Sequence, residues 1–525
     1  MPVGVLDEPS YTSSVSDRLP AILAIALLAA QLVLPWTVRH FVTQDGPSHV
    51  YSAVTARDLL VHRHSIQRTL YHFRPAIVPN WTSTILLAIA ATVAGVGNAE
   101  RVMVDAIILL GFFSFRYASR SLSDQPLGFL PLANFLFHTW FLWLGFFNFA
   151  LGMALCPALI GYFVRRRHAF GLKQAALIMA ASVFLFFTHL IPAAVAVLAI
   201  LTIALWTRRN ILHTTVAVAP VIVLTLIYSH GKPHIEWKPD VESALAGFPM
   251  HVFATAAGTV GGQVLLGSGV LLCIAVTLLG LRPKDWRSEK GALAVAALIC
   301  FLLYLFVPDQ GLGGSETKIR LAWAVFILGG LVTASGVLKP LEAPLAIYIS
   351  LLLGCNLLVT WQALRLTSRA VEDYIAATDR IPKGAVFVRI HYPTPRTTER
   401  YGLTMMGRDP FFHLDAYSAS RAGSVDLSDY EGVNPIFPLA LRPRIREDQQ
   451  YALWALEGPG EEVAGSLTSL HDGLAVPIEY VVLVTDGDAQ ELLSGLSALN
   501  AKLASETRLF SASPGNFVRV YQYMR

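Results

Sequence analysis

The chain has 525 residues, 54% of them hydrophobic and only 14% charged, against roughly 25% charged in ordinary soluble domains. Its mean hydropathy is +0.53 and its formal net charge of +4 is small. Such a composition excludes a soluble globular protein, gives no ground for a nucleic-acid partner, and points to a polytopic membrane protein.

Residues 1–18 read as a polar tail, and the apolar run 19–38 as a retained signal-anchor, since no small-residue cleavage site follows it. Further spans are expected at 81–97, 102–117, 127–144, 146–164, 172–188, 190–206, 211–228, 262–281, 291–307, 321–338 and 341–362. A span needs roughly 20 apolar residues, so several of these are short and must thin the bilayer or lie within protein. The fold class is therefore a polytopic α-helical membrane protein of about 11–13 transmembrane helices over residues 19–362. From Ala363 the composition changes, and residues 363–525, under a third of the chain, hold nearly half its charged side chains. That segment reads as a water-soluble α/β domain. It has strands at Ala385–His391, Tyr480–Thr485, Thr507–Phe510 and Phe517–Tyr523, with a helix over 489–504. The four cysteines sit singly in apolar runs and read as small buried hydrophobes.

Orientation follows from Lys and Arg. Arg165-Arg166-Arg167, Arg208-Arg209 and Arg282–Lys290 read as cytoplasmic, so the loop 39–80, the segments 229–261 and 308–320, and the C-terminal domain are expected outside. Five spans before Arg165 break this alternation. One segment between 81 and 145 is thus expected not to cross, or the helices around Gly145 to form one broken element. The loop 39–80 also carries Arg39, Arg57, Arg63, Arg68 and Arg74, which an interfacial helix tolerates on its polar face; such a helix is expected over Ser48–Arg63, capped by Ser48, with Arg57 and Arg63 off its apolar face. A second such helix is expected over 241–257.

Chemistry is expected at the outer boundary. Asp45, in Thr43-Gln44-Asp45-Gly46-Pro47-Ser48-His49, lies just past the first span, where a lipid-borne substrate presents its head group. A carboxylate there suits a general base. His49 lies four residues on and can orient a phosphate or share its proton, and Tyr51 offers a ring for stacking. The second cluster, Pro308–Arg320, supplies glycines, Glu316, and the cations Lys318 and Arg320, which suit an anion. Ser315 or Thr317 is expected to cap the helix that follows. Asp105 inside a span needs a partner, for which Arg116 is available. Asn134, His138 and Asn148 read as inter-helix hydrogen bonders, and His189 as structural. The group His230, His234, Glu236 and Asp240 has no recognised metal spacing, so no metal site is assigned.

An acid in the first outer loop, interfacial helices in that loop, about a dozen spans and an outer C-terminal domain together resemble the GT-C superfamily of integral membrane glycosyltransferases. The protein mannosyltransferases and lipid A aminoarabinose transferases belong to it. Ala99-Glu100-Arg101, Ser119-Arg120-Ser121-Leu122 and Gly145-Phe146-Phe147-Asn148-Phe149-Ala150-Leu151-Gly152 are similar to bacterial members. The resemblance implies a catalytic Asp45 and a polyprenyl-phosphate sugar as donor. It also implies donor-phosphate contacts from Lys318 and Arg320, and a glycan, lipid or protein acceptor outside a bacterial cytoplasmic membrane. Unlike the common pattern, no second acid adjoins Asp45, so no cofactor is assigned and a divalent cation stays open. The alternatives are a transporter or flippase of a lipid-linked saccharide, disfavoured by the lack of repeated halves, and a non-catalytic scaffold.

Overall fold

The computed structural model describes residues 15–123, 130–230, 232, 240–248, 252, 260–311, 314–336, 339–392, 411–442, 460–474, 476–485 and 497–524. The polar tail before residue 15, most of 241–257 beyond the first turns, His234 and Glu236, and the start of the 489–504 helix lie outside the described residues.

Long apolar runs give helices because only a helix satisfies every backbone group within a bilayer. They are α1 Val15–Val33, α2 Gly46–Val61, α3 Gln67–Leu70, α4 Trp81–Val93, α5 Val96–Leu122, α6 Leu130–Phe137, α7 Trp140–Leu144, α8 Phe147–Arg166, α9 Leu172–Thr188 and α10 Leu190–Trp206. Then follow α11 Ile211–Ser229, α12 Val241–Gly247, α13 Val260–Gly280, α14 Pro283–Trp286, α15 Glu289–Phe306, α16 Thr317–Gly336 and α17 Lys339–Thr378.

The expected break in alternation lies at α4. Its 13 residues span only about 20 Å. Both its ends lie on the face that carries the C-terminal domain: Asn80 Nδ2 donates to Ile436 O, and Gly97 sits beside the Tyr417 hydroxyl. At the start of α5, Arg101 donates to the carbonyls of Pro35, Val38 and Arg39, at the end of α1. So α1 ends and α5 begins on one face, and α4 runs along it. On the far face, Arg165 covers the Tyr117 ring, Asn210 donates to Arg167 O and Arg167 pairs with Glu289. Among the described residues α1, α5, α8, α11, α15, α16 and α17 are long and apolar enough to cross a membrane, and with the shorter apolar α6 with α7, α9, α10 and α13 they make eleven alternating passes. The third pass is broken at His138-Thr139, and Leu130–Gly145 is buried throughout. Irregular backbone at membrane depth is tolerated there because protein, not lipid, surrounds it.

Two polar expectations change. Asp105 accepts a hydrogen bond from Trp36 Nε1 at 2.8 Å through one oxygen, so an indole rather than Arg116 is its partner. Asn134 donates to Ala24 O and Asn148 accepts from Ser83 N–H, joining neighbouring helices as expected. Cys156, Cys273 and Cys300 are buried free thiols, whereas Cys355 is exposed on α17.

The composition change at Ala363 falls inside α17, which runs on without a break into the C-terminal domain. That domain holds β2 Val386–Tyr392, α18 Leu414–Ala422, β3 Val425–Asp426, α19 Tyr430–Val433, β4 Leu439–Leu441, α20 Gly460–Gly473, β5 Tyr480–Thr485, α21 Ser497–Glu506, β6 Thr507–Ala512 and β7 Val518–Tyr523. The sheet order is β3-β2-β5-β7-β6, parallel on the β3-β2-β5 side and antiparallel beyond it.

The first loop is welded to this domain. Its strand β1, Tyr71–Phe73, pairs antiparallel with β4, Tyr71 opposite Leu441. The α2 helix is buried from Gly46 to Ala56, between the bundle and the domain, rather than resting on the membrane surface. Tyr51, Ala56, Leu59 and Tyr71 share one apolar core with the domain sheet. Four arginines of the loop find protein partners: Arg39 pairs with Glu372 and Arg57 with Asp58, while Arg68 donates to His62 O and Arg74 to Phe437 O. Local partners, not the cytoplasm, satisfy these charges.

Candidate active site

The turn bearing Asp45 is built from three directions. Gln44 and Asp45 donate their N–H groups to Trp143 O at 3.2 Å and Leu144 O at 2.8 Å, against the left-handed turn at Gly145. Glu100, 3% exposed, accepts the Thr43 N–H. Gly46 passes so close to Glu100 that a Cβ at that position would overlap the carboxylate. Asp45 then stands at the head of α2, with Gln44 Nε2 donating to its Oδ1 at 3.0 Å.

Asp45 opens into a cavity of about 520 Å³, within the usual size of a ligand site. Arg320 lines the same cavity and interacts with Asp45 electrostatically. Its guanidinium lies over the rings of Phe146 and Phe149, 4.8 and 5.2 Å from their centroids. Arg320 Nε is buried and lacks a hydrogen-bond partner among the described residues. Nη1 lies 3.0 Å from His189 Nε2. Yet His189 Nδ1 accepts the Ile191 N–H at 3.2 Å, capping α10. A neutral ring therefore carries its proton on Nε2, and two donors face one point of the wall. An anion satisfies both.

A second cavity of about 230 Å³ adjoins this wall. It shares Arg320 and His189 with the first, and its remaining lining is largely apolar, including Leu190, Ile191, Tyr228, Val307 and Pro308.

The domain closes the site from above. Tyr430, Asn434, Ile436 and Phe437 line the larger cavity. His413 Nε2 lies 3.8 Å from Asp45 Oδ1, and its ring stacks on Tyr430. Burial, with Arg389 close by, holds His413 well below the ordinary histidine pKa, so a neutral imidazole faces the carboxylate. His49 lines the cavity and its Nδ1 meets Glu431 Oε1. Burial opposes charge on His49, but Glu431, helped by Asp45 and Asp429, outweighs it and raises its pKa above the ordinary value. Asp429 accepts from Ser48 and, at 3.2 Å, from Ser52. Burial and the neighbouring Glu431 raise its pKa.

Asp45, His49 and Arg320 thus share one cavity, while the other expected site residues lie elsewhere. Tyr51 is buried, its hydroxyl accepting the Asp426 N–H at 3.1 Å, so it braces the domain instead of stacking a ligand. Lys318 and Glu316 are not among the cavity-lining residues. Asp309, rather than Ser315 or Thr317, caps α16, its carboxylate accepting the Lys318 N–H and its carbonyl the Thr317 N–H. Among the described residues, no group of three or more His, Cys, Asp or Glu is placed to hold a metal ion.

No family model matches the sequence, and no curated protein matches it. Solved structures do. ArnT from Cupriavidus metallidurans in the apo state aligns over 97% of this chain and 98% of its own, with a TM-score of 0.52 at 11% identity. The fold is that of the GT-C glycosyltransferases. ArnT from the same organism bound to undecaprenyl phosphate aligns over 96% of this chain and 97% of its own, at 11% identity and a TM-score of 0.50. The arabinofuranosyltransferase AftD from Mycobacteria covers 98% of this chain at 15% identity and a TM-score of 0.49, the chain spanning 40% of that protein's length. In this GT-C fold the residues that sequence reasoning missed are His189, His413, Tyr430 and Glu431. The last three lie nearly 400 positions from Asp45, and only the docking of the domain brings them to it. His189 carried one weak signal, a histidine immediately before an apolar helix start.

Proposed function

We propose that the chain is a membrane glycosyltransferase that moves a sugar from a polyprenyl-phosphate donor to a hydroxyl acceptor, a glycan, lipid or protein. The single observation that carries this reading is that Asp45 and Arg320 line one cavity. Asp45 takes the proton of the acceptor hydroxyl as its oxygen bonds to the anomeric carbon. The bond from that carbon to the phosphate oxygen breaks, and the electron pair leaves on the lipid phosphate. Arg320 Nε and Nη1, with His189 Nε2–H, receive the growing negative charge. The aromatic faces of Phe146 and Phe149 hold the guanidinium in place.

The smaller, apolar cavity behind the Arg320–His189 wall suits the first isoprene units, and the larger polar one suits the sugar and acceptor. The shared fold supports a lipid-phosphate carrier, since one holder of it was solved bound to undecaprenyl phosphate. The basic clusters at the far face favour a cytoplasmic far face, which on this reading leaves the domain and the cavity outside a bacterial cytoplasmic membrane.

Asp45→Asn tests it. Transfer from an undecaprenyl-phosphate sugar should fall by about 10²–10⁴-fold, the usual contribution of a general base. Binding of undecaprenyl phosphate should not change. Transfer at the wild-type rate by this variant would rule the mechanism out, and a flippase or scaffold would be indifferent to it.

A further inference from the structure

We propose that Glu431 of the C-terminal domain is a positioning residue that holds His49 as an imidazolium on the wall of the reaction cavity. The inference rests on the glycosyl-transfer reading of that cavity.

The geometry leaves the ring one orientation. His49 sits in the first turn of α2, its N–H donating to Asp45 O at 3.1 Å. The rings of Phe147 and Phe437 pack at 5.8 and 5.7 Å on it, and Tyr430 lies at 6.5 Å. Nδ1 is taken by Glu431, itself 1% exposed. A carboxylate with so little water gains most from a charged partner, and an imidazolium donates through both nitrogens. The remaining proton, on Nε2, is the one His49 offers within the cavity it lines. The titratable groups facing His49 are Asp45 at the head of its own helix, Glu431 and Asp429 from the domain and Glu100 from α5, with His413 nearby. Glu431 in contact with Nδ1, with Asp45 one turn away, favours the protonated ring.

Its function follows from place. A fixed positive charge one turn from the base keeps Asp45 ionised while the acceptor is absent, and adds to Arg320 as negative charge develops on the leaving phosphate. Glu431 touches neither substrate in this scheme and acts through the ring. The consequence is that the membrane half of the site is incomplete without the domain.

The test uses the full chain in nanodiscs, with histidine labelled at ¹³Cε1 and the His49 signal assigned by its loss in His49→Asn. Wild-type His49 should titrate above the ordinary histidine value. Glu431→Gln should move that midpoint down by about one pH unit or more, the effect of removing one adjacent opposite charge. Transfer should lose its alkaline limb at the pH where His49 deprotonates, and the limb should move down with it in Glu431→Gln. Glu431→Asp, which keeps the charge on a shorter arm, should give an intermediate shift and decides the matter if the Gln variant does not fold. A His49 midpoint unmoved in these variants overturns the proposal. So does a midpoint that moves while transfer falls equally at every pH, which marks a purely structural pair. A wild-type protein that transfers no polyprenyl-phosphate sugar defeats the transferase reading instead, and leaves the titration to judge the pair alone.

Discussion

Gly145→Ala separates the geometry of the Asp45 turn from its chemistry. Gly145 has φ near +80° and ψ near 18°, a left-handed conformation closed to alanine except at a cost of about 1–2 kcal/mol. A Cβ built there would lie 2.5 Å from both Gly46 N and Thr43 Oγ1 and 3.2 Å from Asp45 C. The first of these is backbone, so no rotamer relieves it, and the turn must recede by at least about 0.5 Å to reach the 3.0 Å that carbon contacts tolerate. Overpacking of this kind costs about 1–3 kcal/mol, so with the strain the variant should lose roughly 2–5 kcal/mol of stability. The displaced atoms are those that present Asp45. A shift of half to one ångström in a reacting group costs up to about 100-fold in turnover. Undecaprenyl-phosphate affinity, set on the Arg320 side of the cavity, should stay within about twofold. Gly354→Ala is the control, because nothing lies within 4 Å of a Cβ there, and it should be neutral or slightly stabilising. Thermal unfolding in detergent and a transfer assay with radiolabelled donor read both quantities. A Gly145→Ala protein with wild-type turnover would refute the claim that this turn sets the base.

Arg320→Ala should weaken undecaprenyl-phosphate binding by roughly 10- to 100-fold, the value of a charge-assisted contact, as read by calorimetry. Unchanged affinity would remove Arg320 from the donor site. Tyr51→Phe leaves the buried Asp426 N–H without its acceptor, so the domain should lose about 1–3 kcal/mol of stability while KM holds steady. A changed KM with unchanged stability would return Tyr51 to the substrate. The union of α2 with the domain should weaken as pH rises. His49 and Asp429 both have pKa values raised in the native state, so both bind protons more tightly there than when unfolded. The stability they lend is complete below their unfolded values and is lost as pH climbs through the native ones. Limited proteolysis between about pH 6 and pH 9 should therefore cut the domain faster at the alkaline end, and the reverse slope would contradict the assignment.

The spans were legible because hydropathy over about 20 residues answers to the bilayer alone. The misfit of five spans before Arg165 was legible too, and α4 turns out to be the helix that lies flat, a role its largely apolar 13 residues do not advertise. Strand Tyr480–Thr485 was readable to the residue from its run of Val and Leu. Pairing of β1 with β4 was not, because three residues of loop carry no periodicity and the partner lies far along the chain. Asp45 and Arg320 could be picked out as charges at apolar boundaries, where only function or a partner keeps them. Lys318 matched that description as well as Arg320 did, and only the turn of α16 decides which cation faces inward. Glu431, His413 and Tyr430 sit in ordinary polar sequence, and their importance is created by tertiary contact.

One shaft joins membrane and domain: α17 is a single helix of 40 residues, about 60 Å at 1.5 Å per residue. Its length sets how high the lid rides over the bundle, and its phase sets which way the lid points. Inserting one residue in its upper half would swing the sheet by about 100°, and an added stretch of seven would keep the heading but raise the lid by roughly 10 Å; either displacement tears β4 from β1, which the first loop holds to the bundle. The altitude of the reaction chamber above the lipid midplane is thus engraved in a residue count, independent of whatever bilayer surrounds it.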